Sequence, residues 1–182
     1  MKILAIETCY GKFSVGIYDG NQELAYYEHP EHNKQAELLV PSIEKILAEA
    51  GLKYQELDAV ACAVGPGSFT GLRIGIAAAK GIVLATGIKA IGISSLQAAA
   101  LDKGGGKVYL PCGNSDAYHQ EFDADLNAIS EPSLILGYGQ NFDLPPNARL
   151  VAKYANLGKP TYNLSPLYVR KPDAKLPNTQ SH

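Results

Sequence analysis

The segment with the residue types and spacing for chemistry is Gly65-Pro66-Gly67-Ser68-Phe69-Thr70-Gly71-Leu72-Arg73-Ile74-Gly75. It follows an apolar run, residues 59 to 64, and leads into a stretch rich in Ala and Ile. A buried strand, a tight loop and a helix start are expected there. The free N–H groups of a helix start attract anions, and the helix dipole helps. Glycines also let a phosphate, another helix or a partner chain come close to the backbone. Arg73 and Lys80 are the nearest cations, about two turns apart on roughly one helix face. The segment lacks the Gly-Lys-Ser/Thr ending of a P-loop. The nucleotide contacts it suggests are Gly67, Ser68, Arg73 and Lys80. Gly11, in the turn between Thr8 and Lys12, offers the only obvious room for a phosphate there, because Tyr10 is bulky.

Other chemistry finds less support. His29 and His32 stand three apart across Pro30 with no third ligand nearby, and read as surface residues. His119 and His182 are isolated. Ser68 does not sit in a Gly-x-Ser-x-Gly elbow, and neither Cys9 nor Cys112 has an evident base. No catalytic residue and no metal site are expected.

Gly71, Gly75 and Ala79 stand four apart and make a smooth stripe on the helix expected over 69 to 86. Each helical glycine costs about 1 kcal/mol relative to alanine, so the stripe needs a packing reason. Either a partner helix or the chain's own sheet supplies it. If Leu72, Ile76, Ile82 and Val83 fill the sheet contact, the stripe faces outward, and Gly75→Leu yields a folded chain that loses its partner.

The elements around these residues follow from periodicity. Strands are expected over 2 to 8, 13 to 17 and 24 to 28, the second closing at Asp19-Gly20-Asn21, a hairpin signal. Helical spacing runs from 34 to 50, with Pro41 as a first-turn proline or mild kink. A strand over 57 to 64, the helix to Thr86, a strand over 89 to 93 and a helix capped by Ser94 complete the first half. Three antiparallel strands followed by crossover strands give a mixed sheet flanked by helices, the ribonuclease-H-like layout. Gly104-Gly105-Gly106 reads as a flexible joint. Beyond it come short strands near 107 to 111, 117 to 123 and 133 to 136, a helix over 148 to 156 and a proline-containing extended tail. Two lobes are expected: 1–103, and a reduced second lobe over 107–182. At 182 residues and net charge −2, the chain is a poor nucleic-acid binder by itself. Its basic cluster, Arg170, Lys171 and Lys175, reads as solvated tail. Three scattered cysteines fit a reducing, cytoplasmic setting. Lys80 and Lys89 break the apolar region from 74 to 101, so neither piece reaches the roughly 20 residues of a membrane span.

Ile6-Glu7-Thr8-Cys9 followed by Phe13 to Tyr18 resembles the first hairpin of the actin-like ATPase superfamily. The glycine segment with Ala78-Ala79-Lys80-Gly81, the run Glu37-Leu38-Leu39-Val40-Pro41, and the closing Pro166 to Arg170 with Pro172 to Lys175 are similar to the TsaB (YeaZ) family. The resemblance implies a non-catalytic scaffold for the threonylcarbamoyl modification of the adenosine beside the tRNA anticodon. Its implied partners are a TsaD-type transferase paralogue and a TsaE-type ATPase, with a homodimer in isolation and tRNA met only through the complex. No intrinsic cofactor is implied, and ATP or ADP would sit at the shared interface. The implied contact surface is the helix over 34 to 50 with the outer face of the next one: Glu37, Leu38, Pro41, Phe69, Gly71, Leu72, Gly75 and Ala79. The family's histidine before Glu-Leu-Leu is Gln35 here. Alternative readings are an ATP-binding small kinase or ATPase of the actin-like class, and a metallopeptidase-like protein.

Overall fold

The computed structural model describes residues 1–169. The expected basic cluster at Arg170, Lys171 and Lys175, and the last two tail prolines, lie outside the described residues.

Three strands open the chain: β1 (Lys2–Tyr10), β2 (Lys12–Asp19) and β3 (Gln22–Glu28). Helix α1 (Gln35–Glu49) crosses to β4 (Ala59–Ala63), and α2 (Phe69–Thr86) crosses to β5 (Lys89–Ile93). The sheet order is β3-β2-β1-β4-β5, with β1 to β3 antiparallel and β1, β4 and β5 parallel. This is the ribonuclease-H-like order. β1 is central and buried along its length, apolar up to Ile6, between the helices that cover the sheet. Pro41 falls inside α1 rather than in its first turn, on the exposed side, where a missing N–H is tolerated.

Helix α3 (Ser95–Lys103) starts on a capping box in which Ser94 and Gln97 satisfy each other's backbone N–H. It stands between two cores. Ala98 joins the core of the large sheet, while Leu96, Ala99 and Ala100 pack against a smaller sheet. That sheet is β6 (Gly106–Cys112), β7 (Asp116–Phe122) and β8 (Ser133–Ile135), all antiparallel. Between α3 and β6 the joint is tight at Gly105, after Gly104 caps the helix. Gly105 N–H donates to the Ala100 carbonyl at 2.9 Å, and an added Cβ there would overlap the Asp123 carbonyl oxygen. Helix α4 (Ala148–Asn156) returns to the large sheet. Its Ala148, Val151, Ala152 and Tyr154 lie in that sheet's core, so a boundary at residue 103 separates α4 from the sheet it covers.

The small-residue stripe faces inward. A Cβ on Gly71 would overlap the Thr8 carbonyl oxygen of β1, and one on Gly75 would overlap the Thr8 hydroxyl. Ala79 is fully buried. The Thr8 hydroxyl donates to the Gly71 carbonyl at 2.8 Å. The glycines thus serve close approach of α2 to β1, which replaces the expectation of a stripe open to a partner. Leu72 and Ile76 are buried beside it, whereas Ile82 and Val83 are only half-buried.

Gly71→Ala or Gly75→Ala should lower the unfolding free energy by more than about 2 kcal/mol in urea titrations. Gly75→Leu should fail to fold rather than sever a partner. Gly81, exposed in the same helix with nothing within 4 Å of an added Cβ, is the control: Gly81→Ala should stabilise by up to about 1 kcal/mol.

Candidate functional site

The glycine loop is held against the end of β1. Gly65 adopts φ +96°, a conformation that favours glycine. Ser68 N–H donates to the Cys9 carbonyl at 2.6 Å, Ser95 N–H donates to the Gly65 carbonyl at 2.7 Å, and the Tyr10 hydroxyl donates to the Pro66 carbonyl at 2.8 Å. A Cβ on Gly67 would lie 2.7 Å from the Cys9 carbonyl oxygen. Ser68 caps α2, its hydroxyl accepting from Gly71 N–H at 3.4 Å. Each close approach in this loop is to the chain's own atoms, the Leu72 side chain at Gly65 and Cys9 at Gly67.

The five nucleotide-contact candidates are divided among the β1–β2 turn, the glycine loop and α2. Gly11 sits at the β1–β2 turn, where its carbonyl accepts from Asn33 N–H at 2.9 Å and from the Gln35 side chain at 2.6 Å. Gly67 and Ser68 lie in the loop just described. Arg73 stacks on Phe69 at 3.7 Å, and its Nε donates to the Tyr168 hydroxyl at 3.1 Å. Lys80 is exposed about two turns further along α2. Gln35 is buried and ties the start of α1 to the hairpin.

The interface candidates divide between two faces. Glu37, Pro41 and Phe69 are exposed and Leu38 is half-buried on the outside of α1 and α2. Gly71, Leu72, Gly75 and Ala79 are buried on the inside and cannot meet a partner in this fold. The outer face of α2 instead carries Arg73, Ala77, Lys80, Gly81 and Leu84, with Leu84 89% exposed and Val40 of α1 51% exposed. Sequence reasoning missed Ala77, Leu84 and Val40. For Ala77 and Leu84 the signal was their own spacing, offset by about half a turn from the glycines of the same helix.

A second feature lies beside the β1–β2 turn. Glu7, Ser14 and Glu28 are direct cross-strand neighbours on β1, β2 and β3, so they share one sheet face. The Ser14 hydroxyl accepts from Ala148 N–H of α4 at 2.8 Å. Together with Tyr10, Lys12, Phe13 and the segment 145–147, the row lines a cleft of about 200 Å³. Glu7 is 3% exposed. Its Oε1 accepts from Cys9 N–H at 2.6 Å, across the bulge that shifts the β1–β2 register. Burial pushes the Glu7 carboxyl up to about 8. The Cys9 hydrogen bonds oppose the shift, and the charge of Glu28 adds to it.

Burial also holds the Cys9 and Cys62 thiols well above their ordinary values, so neither is an activated thiolate. Among the described residues, no group of three His, Cys, Asp or Glu is placed to hold a metal ion. His29 is not a surface residue as expected. Its ring stacks on Phe13 at 5.3 Å, its Nδ1 meets the Tyr27 hydroxyl at 2.8 Å, and its Nε2 is buried.

A carboxyl with a raised folded-state pKa favours folding while protonated in both states. That contribution declines as pH rises from about 4.5 to about 8. Glu7→Gln keeps an acceptor for Cys9 N–H and cannot ionise. Urea titrations at several pH values should show the wild type losing up to about 1.4 kcal/mol per pH unit across this window relative to Glu7→Gln. Parallel curves would contradict the placement.

With this geometry established, the chain's relatives are informative. The family model for TsaD, tRNA N6-adenosine threonylcarbamoyltransferase, matches residues 29–114. The chain is 33% identical over 137 residues to the tRNA threonylcarbamoyladenosine biosynthesis protein TsaB of Escherichia coli, a match covering 71% of this chain and 58% of that protein. It is 31% identical to an uncharacterized protein of Mycobacterium tuberculosis, covering 95% of this chain and 93% of that one. Thus the chain spans little more than half the length of the first relative and nearly all of the second. The solved structure of YeaZ from Pseudomonas aeruginosa superposes with a TM-score of 0.76 at 19% identity, covering 92% of this chain and 99% of that one, and shares the fold. The chain belongs to the TsaB (YeaZ) family.

Proposed function

We propose that this chain is a non-catalytic, cytoplasmic subunit in tRNA threonylcarbamoyladenosine formation, and that it works by docking a TsaD-type paralogue on the outer face of α1 and α2. In this reading a TsaE-type ATPase joins the pair, a homodimer forms when the paralogue is absent, and tRNA is met through the complex. Any ATP or ADP sits at the shared interface.

The observation that carries the reading is the exposure of α2. It is the one described helix long and apolar enough to cross a membrane by length and composition, yet only 28% of it is buried. Its inner face packs on β1 and β4, and its outer face, with Ala77, Gly81 and Leu84, is open. Small residues there allow a second helix to come near, and the Phe69–Arg73–Tyr168 stack at one end supplies residue types enriched at binding hot spots. The similarity to TsaB relatives, and to the TsaD family over 29–114, supports a partner built on the same fold. A non-catalytic role is supported by the capped Ser68 and the buried, unactivated Cys9.

Light-scattering mass on a sizing column tests this. Mixed with the TsaD-type paralogue from the same cell, the chain should give a one-to-one complex. Ala77→Glu and Leu84→Glu alter exposed positions and should leave the fold intact while weakening the complex at least about 100-fold, since a charge would be buried in an apolar contact. A complex of unchanged strength in both variants would sink the proposal.

A further inference from the structure

The cleft at the hairpin ends is the feature that docking on α1 and α2 leaves unused. Its floor is the row Glu7, Ser14 and Glu28, and its cover is the turn before α4. Glu7 and Glu28 sit two strands apart, about 10 Å between backbones, with Ser14 between them. Ser14 has given its acceptor to α4, and Glu28 accepts from the Tyr26 hydroxyl at 2.6 Å. Tyr10 supplies aromatic wall, and the prolines at 145 and 146 supply apolar cover. Lys12 lies at the exposed rim.

We infer that this cleft binds the protonated amino group of a small organic ligand between Glu7 and Glu28. Three physical features point to that chemistry. A carboxyl pair on one sheet face favours a cation over an anion. The Tyr10 ring attracts an ammonium group through its π system. Glu7, buried and held by hydrogen bonds from the Cys9 and Thr8 backbone, is costly to ionise alone and gains a counter-ion when an ammonium enters. The titratable groups around it are Cys9 and Tyr10 on β1, Lys12 on β2, Glu28 on β3 and the buried Cys62 on β4, while the covering segment 145–147 contributes none. An entering ammonium therefore shifts Glu7 toward its ionised form, and its proton passes to the buffer.

The ammonium could belong to an aliphatic diamine or to an α-amino acid. Lys12 at the rim distinguishes them, because only the amino acid presents a carboxylate to it. This inference does not rest on the docking proposal, and its test needs no partner.

Isothermal titration calorimetry of the full chain at pH 7, in phosphate and in Tris, would use 1,4-diaminobutane and L-valine as probes. At least one should bind saturably, with a heat that differs between buffers because a proton is released. Glu28→Gln should weaken that binding about tenfold or more. Glu7→Gln keeps the Cys9 contact, and should weaken binding and abolish the buffer dependence. Preference for L-valine that disappears in Lys12→Ala assigns an amino acid; indifference to Lys12→Ala assigns a simple amine. No saturable heat from either probe up to about 10 mM, or binding that both glutamine variants leave unchanged, would overturn the inference.

Discussion

The rest of the structure depends on the contact between α2 and β1 at Thr8. Two glycines one turn apart remove the side chains that would hold the helix off, and the Thr8 hydroxyl fastens the first turn through the Gly71 carbonyl. The cost is helix propensity, about 1 kcal/mol for each glycine. The return is a helix seated on the central strand with Leu72 and Ile76 buried and the glycine loop pinned to the end of β1. That seating leaves the other side of α2, still largely apolar, facing outward. One constraint thus produces both the tight core and the open face.

The same end of β1 builds the second feature. The bulge after Glu7 turns its carboxyl onto Cys9 N–H, and the hairpin registers align it with Ser14 and Glu28. Helix α4 then arrives from far along the chain, and Arg149 fixes it by pairing with Glu23 at 2.7 Å while lying over Tyr26 at 3.5 Å. The smaller sheet adds no wall to this cleft. It is attached through α3, whose two faces serve two cores.

Much of the fold was legible in the sequence. The bounds of α2, β5 and α4 coincide with their periodic segments, because each is closed by a clear signal such as Ser68, Gly87 or Asn147. β1 runs two residues past its expected end, since a side-chain hydrogen bond from Cys9 N–H to Glu7 carries the strand through the bulge. The direction of the glycine stripe was not legible. Both faces of α2 are apolar, with Leu72 and Ile76 on one and Ile74, Ala78 and Leu84 toward the other, so periodicity alone could not tell inside from outside. The cleft was half legible. Hairpin register places Glu7, Ser14 and Glu28 side by side, but the cover at 145–147 is a long-range contact that local pattern does not encode.

The central claim, that the exposed faces of α1 and α2 are where a paralogue docks, is tested most directly by hydrogen–deuterium exchange of this chain with and without the TsaD-type paralogue. The account predicts slowed exchange concentrated in α1 and α2, with β6 to β8 unchanged. Protection confined to the small sheet, or none in α1 and α2 when the complex has formed, would contradict it.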